Sequence, residues 1–383
     1  GNGLVPNDGE SWKRQHKLIM PAFHKMRVDA YAPTMAEYTR DMVRTWREGE
    51  QRDLRKEMVD LTLRVVAKTL FDTDLAGDAE TINEAMLDIS EALIDHAQTP
   101  IPTPRWWPSE RNRRMVRALD AMDGVIERLI AARRKEMKDR GDLMSHIVFV
   151  TDEQGGMSKN QMRDELMTLI FAGHETTAHT LTWAWYLLAK NRDKLERAQE
   201  EIDQTIGDRP IGIDDLRDLP YLEMCLKESL RRLPAVWIYA REAQKDLRLG
   251  DYFFPKGAIL AVSPMATGRN EKYFEQPLEY RPERWTRDFE RQLPKGAYIP
   301  FAAGPRVCLG KQFAMMEMKI ILGTLIQNVD INILDGFEPD FLAQIAFNPG
   351  ERGMQMNVKF REHAPVRAGE SSRPPALSST HAA

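Results

Sequence analysis

The stretch Phe301-Ala302-Ala303-Gly304-Pro305-Arg306-Val307-Cys308-Leu309-Gly310 decides how the rest of the chain is read. A rigid Pro/Gly loop ends in a cysteine, and an apolar helical pattern resumes at Leu309. The thiolate, not the thiol, is a good metal ligand, and free N–H groups at a helix start stabilise that anion. Gly304 permits a tight turn, and Gly310 lets a flat ligand approach the backbone. Arg306 sets a cation two residues before the sulfur, suited to a carboxylate on the same bound object. An isolated cysteine would read as inert packing. Five positions fitting one purpose, Phe301, Gly304, Arg306, Cys308 and Gly310, outweigh that reading.

Outward from this loop, composition narrows the class. The chain has 383 residues, with 54 Lys+Arg against 58 Asp+Glu and a net charge of −4. Its 42% hydrophobic and 29% charged residues are near globular averages, which excludes wholesale disorder. The slight acidity argues against a nucleic-acid partner held by phosphate charge. Two cysteines, Cys225 and Cys308, exclude a disulfide scaffold and a Cys-rich zinc module. No apolar run reaches the ~20 residues of a membrane helix. The chain opens Gly1-Asn2-Gly3 without an initiator Met, which reads as a fragment. A cytoplasmic location is the expectation, with an upstream membrane anchor left open.

Helical periodicity dominates. It predicts helices over 29–48, 55–71, 79–97, from about Ser109 to Lys138, from Ser158 to Lys190, over 191–206 and over 221–233. Three prolines at Pro100, Pro102 and Pro104 break the pattern before Trp106 and Trp107. Short strands are expected between Arg241 and Val262, and an irregular loop over 277–307. From about Arg361 the composition predicts a disordered tail, which leaves one domain over 1–360.

Three further motifs precede or flank the cysteine loop. Glu228-Ser229-Leu230-Arg231 puts an acid and a base on one helix face. Alone that is a common solvated pair worth little. Ala172-Gly173-His174-Glu175-Thr176-Thr177 places an acid and two alcohols in the middle of the longest helix. A core helix would carry aliphatic residues there, because buried carboxylates need partners; the plain alternative is a solvent-facing polar stripe. Trp12-Lys13-Arg14-Gln15-His16 opens the chain's first helical stretch.

F-x-x-G-x-R-x-C-x-G is similar to the heme-binding signature of the cytochrome P-450 family, the heme-thiolate monooxygenases, and every fixed position matches. The likeness runs from Trp12 to about Phe360. It implies a mainly α fold, a single large helical domain with a small β portion, lacking the N-terminal part of the family fold. It implies heme b, with Cys308 as the proximal iron ligand, Phe301 packed beside the thiolate and Gly310 behind it. Arg306 and Trp12 become propionate partners, as do His16, which stands where the family usually has Arg, and Arg241.

Arg281-Pro282-Glu283-Arg284-Trp285 resembles the family's P-E-R-F element, with Trp for Phe. Glu228, Arg231 and Arg284 would then form a structural network bracing the cysteine loop. The mid-helix motif resembles the family's oxygen-activating segment. There Ala172 and Gly173 leave room for dioxygen, Thr176 hydrogen-bonds it and Glu175 feeds protons; His174 and His179 are read as helix-face hydrogen-bonding residues.

Phe171, Thr180, Val236, Trp237, Ala346 and Phe347 would line an apolar pocket for a hydrophobic small molecule, under a lid at 100–107. No flavin or nicotinamide fingerprint occurs, so a ferredoxin or flavoprotein reductase supplies electrons. Lys13, Arg14, Lys17 and Lys311 form its landing site, a solvated charge run being the plain alternative. Rival readings are a peroxygenase or heme-dependent isomerase or dehydratase, and a non-enzymatic heme-thiolate sensor; none of these needs the retained pair Glu175 and Thr176.

Overall fold

The computed structural model describes residues 2–73, 77–98, 104, 107, 109–362 and 364–368. Helices carry the structure: α1 (Gly9–Ile19), α2 (Lys25–Asp29), α3 (Ala32–Arg44), α4 (Leu54–Phe71), α5 (Ala79–Gln98), α6 (Glu110–Glu136) and α7 (Leu143–Phe149). They continue with α8 (Lys159–Lys190), α9 (Arg192–Thr205), α10 (Pro220–Arg232), α11 (Pro264–Gly268), α12 (Arg287–Gln292), α13 (Lys311–Asn328) and α14 (Pro365–Ala368). Among the described residues the strands make only two-stranded antiparallel pairs. β1 (Gln51–Asp53) pairs with β10 (Gln355–Asn357), and β2 (Thr151–Asp152) with β3 (Gly155–Gly156). β4 (Tyr239–Glu242) pairs with β7 (Ile259–Val262), β5 (Leu247–Leu249) with β6 (Tyr252–Phe254), and β8 (Leu342–Ala343) with β9 (Phe347–Asn348).

Capping explains where the long helices begin. The Ser109 and Ser158 hydroxyls accept from the backbone N–H of Asn112 and Gln161, at 3.2 and 3.1 Å. α8 then runs 32 residues, about 48 Å, without a proline. It is buried over much of its length, with Trp183 and Trp185 inside the core, and α4, α6, α10 and α13 pack around it.

Three expectations change, the first being that the stretch 277–307, expected as an irregular loop, holds the short helix α12. The first predicted helix, 29–48, is shorter at both ends, and β1 follows it. The chain also stays folded past Arg361. Arg361 pairs with Asp203 at 2.6 Å, the Val366 N–H donates to Asn328 Oδ1 at 2.9 Å, and Ala364 and Val366 are buried. Residues 369–383 lie outside the described residues, as does most of the expected lid at 100–107, of which only Pro104 and Trp107 are described.

The α4–α8 contact fixes the part of α8 that carries the acid–alcohol pair. The Thr62 hydroxyl donates to the His174 carbonyl at 3.0 Å. A Cβ added at Gly173 would stand 3.2 Å from Val66 Cγ2, closer than ordinary packing. Gly173 is therefore small so that α4 can approach, whereas Ala172 is exposed. Gly173→Val should cost about 1–3 kcal/mol through overpacking. Chemical denaturation would show it, and the loss should shrink in a Val66→Ala background, where the two sites are coupled.

Candidate active site

The cysteine loop is built from backbone hydrogen bonds. The Cys308 N–H donates to the Phe301 carbonyl at 2.9 Å, and the Val307 N–H to the Gly304 carbonyl at 3.1 Å. Gly304 takes φ +69° and Ala302 φ +59°, so the loop turns through two left-handed positions. Cys308 is exposed on one side. Burial on the other side pushes its thiol up, opposed by the Gly310 N–H and the Lys311 charge. A Cβ at Gly310 would lie 3.9 Å from Cys308 Sγ, ordinary contact, so nothing within the chain demands glycine there. Lys311 Nζ stands 5.9 Å over the Phe301 ring.

Arg306 stacks on the Trp12 ring at 4.1 Å and reaches the Leu4 carbonyl at 3.5 Å. Burial, then the nearby Arg241 guanidinium, hold Arg306 below its ordinary value, against Asp8. Among the described residues neither Arg241 nor Arg306 makes an ion pair with a carboxylate. Arg241 donates to the Ala240 carbonyl at 2.7 Å, and Trp12 packs on His16 with ring centroids 4.9 Å apart. Two neighbouring guanidinium groups, one of them two residues from an exposed thiol and neither in an ion pair with a carboxylate among the described residues, fit a metal-bearing ligand that carries carboxylates.

Glu228 and Arg231 have no exposed side-chain surface, so a solvated surface pair does not describe them. Glu228 Oε1 accepts from Arg231 Nη2 at 2.7 Å, from the Arg281 N–H at 2.9 Å and from Arg284 Nε at 3.1 Å. Oε2 accepts from Arg231 Nε at 2.8 Å and from Trp285 Nε1 at 2.9 Å. Arg231 also donates to the Gly268, Pro277 and Glu279 carbonyls. The Trp285 ring lies 4.4 Å from that of Tyr298, whose hydroxyl donates to the Lys227 carbonyl. Three residues beyond Tyr298 comes Phe301, the backbone partner of Cys308. Cys225 is a buried core thiol on α10, pushed above its ordinary value by burial.

On α8, the Thr176 hydroxyl donates to the Ala172 carbonyl at 2.8 Å, and Thr180 to the Thr176 carbonyl at 2.8 Å. His174 is buried, with Nδ1 3.0 Å from the Ile170 carbonyl. His179 makes no such helix-face bond; Nε2 sits 3.5 Å from Oε1 of Glu175. That partnership is one the sequence reading missed, although an acid and a histidine four apart on a helix signal it.

The pocket candidates divide. Val236, Trp237 and Phe171 are half-buried, while Thr180, Ala346 and Phe347 are buried. Phe347 stacks on Trp183 with centroids 5.3 Å apart. Two indoles clamp the turn before it: Trp183 Nε1 donates to the Phe347 carbonyl at 2.8 Å, and Trp237 Nε1 to the Gln344 carbonyl at 2.7 Å. A surface cleft of about 640 Å³ lined by Asp72, Glu136, Lys138, Asp139 and Arg140 contains none of these residues, and Arg140 already pairs with Glu136 and Asp72.

Removing one member of the Glu228 network strands the others. Glu228→Ala should destabilise by about 3–5 kcal/mol. Trp285→Phe removes a single donor to a charged group and should cost ~1–3 kcal/mol. Denaturation midpoints of the two variants check the ranking.

Comparison with known proteins agrees with this geometry. The family model described as Cytochrome P450 matches residues 1–354. The chain is 32% identical over 329 residues to cyclooctatin synthase of Streptomyces melanosporofaciens, covering 85% of this chain and 72% of that protein. It is 32% identical over 330 residues to cyclooctat-9-en-7-ol 5-monooxygenase of the same organism, with the same coverage. It is 28% identical to pentalenene oxygenase of Streptomyces avermitilis over 347 residues, 89% of this chain and 75% of that protein. A family match over almost the whole described chain, joined to an exposed thiol at the start of α13, means that the protein belongs to the cytochrome P450 family and is a monooxygenase that works with heme iron.

Proposed function

We propose that the protein binds heme b through Cys308 and oxidises a hydrophobic small molecule with dioxygen and electrons from an acidic redox partner. The cysteine loop carries this reading. Bound there, heme supplies dioxygen activation, chemistry no protein side chain can perform. The chain's own residues do the rest. Cys308 gives up its proton on ligation, helped by the Gly310 N–H and the Lys311 charge. Arg306, Arg241, Trp12 and His16 hold the propionates, His16 as a hydrogen-bond donor that needs no charge. Phe301 shields the sulfur, and the buried Glu228–Arg231–Arg284 network keeps the loop in place.

On the opposite face, exposed Ala172 leaves space beside α8. Thr176 orients a hydroxyl there, and Glu175 moves protons toward it. Phe171, Val236 and Trp237, with the clamped turn at Ala346 and Phe347, shape an apolar wall. Relatives whose names include an alkene and an alkenol support an apolar substrate.

Electrons enter at a basic face. Lys13 is tied to Glu10 and Arg14 to Asp152. Lys17 and Lys311 are exposed, and among the described residues neither has an ion-pair partner. They are the cations left for a ferredoxin or flavoprotein. No described helix is long and apolar enough to cross a membrane.

Cys308→Ser should abolish the red-shifted thiolate Soret band of the reduced carbon monoxide complex, while Cys225→Ser keeps it; retention of the band in Cys308→Ser would overturn the ligation. Thr176→Ala should keep that spectrum yet divert reducing equivalents from product to hydrogen peroxide. Reversing Lys17 and Lys311 together to Glu should slow reduction by an acidic ferredoxin about tenfold at low salt. The difference should shrink as salt screens the charges, and equal rates at low salt would move the docking face elsewhere.

A further inference from the structure

One helical turn beyond Glu175, His179 is fully buried within α8, and the reading above gives it no task. Its Nε2 lies 3.5 Å from Glu175 Oε1. Among the described residues neither ring nitrogen of His179 has a hydrogen-bond partner, and neither does Glu175 Oε2. Buried polar atoms ordinarily find partners. His174, five residues earlier, ties Nδ1 to a backbone carbonyl of its own helix, and His179 does not. The acid and the imidazole thus have each other as their nearest charged contact. Their exposure differs: the Glu175 side chain keeps 15% of its surface accessible and His179 none. Glu175 Oε2 is itself buried, so what access solvent has to the pair lies on the rest of the Glu175 side chain and not at the ring.

We propose that His179 is the positioning partner of Glu175, the two holding one proton between them so that the ring supplies the proton that Glu175 releases toward the Thr176 side. This rests on the proposed role of Glu175 in proton delivery. The step balances without electrons. The Nε2–H bond of His179 breaks as an O–H bond forms at Glu175 Oε1, which leaves a neutral ring and a neutral acid. Glu175 then gives that proton up toward the Thr176 side as its O–H bond breaks, and solvent returns one proton to the pair from the Glu175 side.

The surrounding groups favour this arrangement. Burial pushes the Glu175 carboxyl up, but His179, with weaker help from His174 on α8 and Arg55 on α4, holds it below its ordinary value. Glu317 faces Thr177 from α13, and burial pushes its carboxyl well above its ordinary value, which disfavours a competing negative charge there.

The test uses the heme-loaded protein as its reduced carbon monoxide complex, which is diamagnetic, with 15N-labelled histidine. Nuclear magnetic resonance would read the two ring-nitrogen shifts of His179, which report where the ring proton sits. Glu175→Gln removes the carboxylate that faces Nε2 and should move the Nε2 resonance. His179→Asn should keep the Soret band while shifting the pH profile of coupling and raising the peroxide share. Unchanged His179 ring-nitrogen shifts in Glu175→Gln would overturn the pairing. Should His179→Asn fail to fold, the Glu175→Gln spectrum still decides. Thr176→Ala that uncouples, while the His179 shifts stay unmoved in Glu175→Gln, removes only the pairing. Full coupling in Thr176→Ala removes the underlying role of Glu175 instead.

Discussion

A carboxylate with no exposed surface must be surrounded by donors, and five converge on Glu228 from α10 and the segment 281–285. Such a site is asymmetric in energy. Assembled, it contributes little more than an apolar cluster of equal volume; broken, it leaves an uncompensated buried charge. That asymmetry makes it a device for fixing geometry. Arg231 spends its remaining donors on three backbone carbonyls between Gly268 and Glu279, so the ion pair also anchors a stretch with little regular structure. Trp285 carries the constraint onward. Its N–H meets the carboxylate and its ring meets Tyr298, three residues before the carbonyl that receives the Cys308 N–H. A loop of Gly and Pro has few side chains with which to hold its own shape, and this chain of contacts ends three residues before it.

What the sequence made legible follows from how local each signal is. The starts of α6 and α8 were readable because a serine hydroxyl and an N–H three residues later make the cap. The cysteine loop was readable because its determinants lie within ten residues. Long-range partners were not. Nothing near Trp183 announces the Phe347 carbonyl, and nothing near Arg361 announces Asp203, the contact that carries the fold past the expected boundary. Gly173 misled for a different reason. A small residue beside an acid–alcohol pair suggests space for a ligand, yet its open side is taken by Val66 of α4. Space at a glycine can belong to a neighbouring helix, and sequence cannot tell which. His179 was readable in principle, since the i,i+4 spacing to Glu175 is local. It was read as bland because histidine on a helix usually finds a carbonyl, as His174 does.

α8 has to be both a core helix and the wall of a site, and its hydroxyls show how the two demands are reconciled. Thr176, Thr177, Thr180 and Thr182 each donate to the carbonyl four residues back. This satisfies a hydroxyl without any partner from another element, so threonine can sit in a buried helix at modest cost. The back-bond is also easily exchanged. Rotation about χ1 releases the hydroxyl, and the carbonyl it leaves keeps its bond within the helix ladder. Thr182 is fully buried, so no ligand from solvent competes for its back-bond to the Ala178 carbonyl. Thr176 differs because it flanks exposed Ala172, where a ligand can compete with the Ala172 carbonyl for the same proton. A hydroxyl parked on its own backbone is a donor held at low energy beside that exposed residue. The choice of threonine over serine strengthens the effect, since its branched Cβ limits the hydroxyl to few rotamers and lowers the entropy lost when it turns. Position relative to exposed Ala172, not residue type, thus separates the threonine hydroxyl that lies next to accessible surface from those packed in the core.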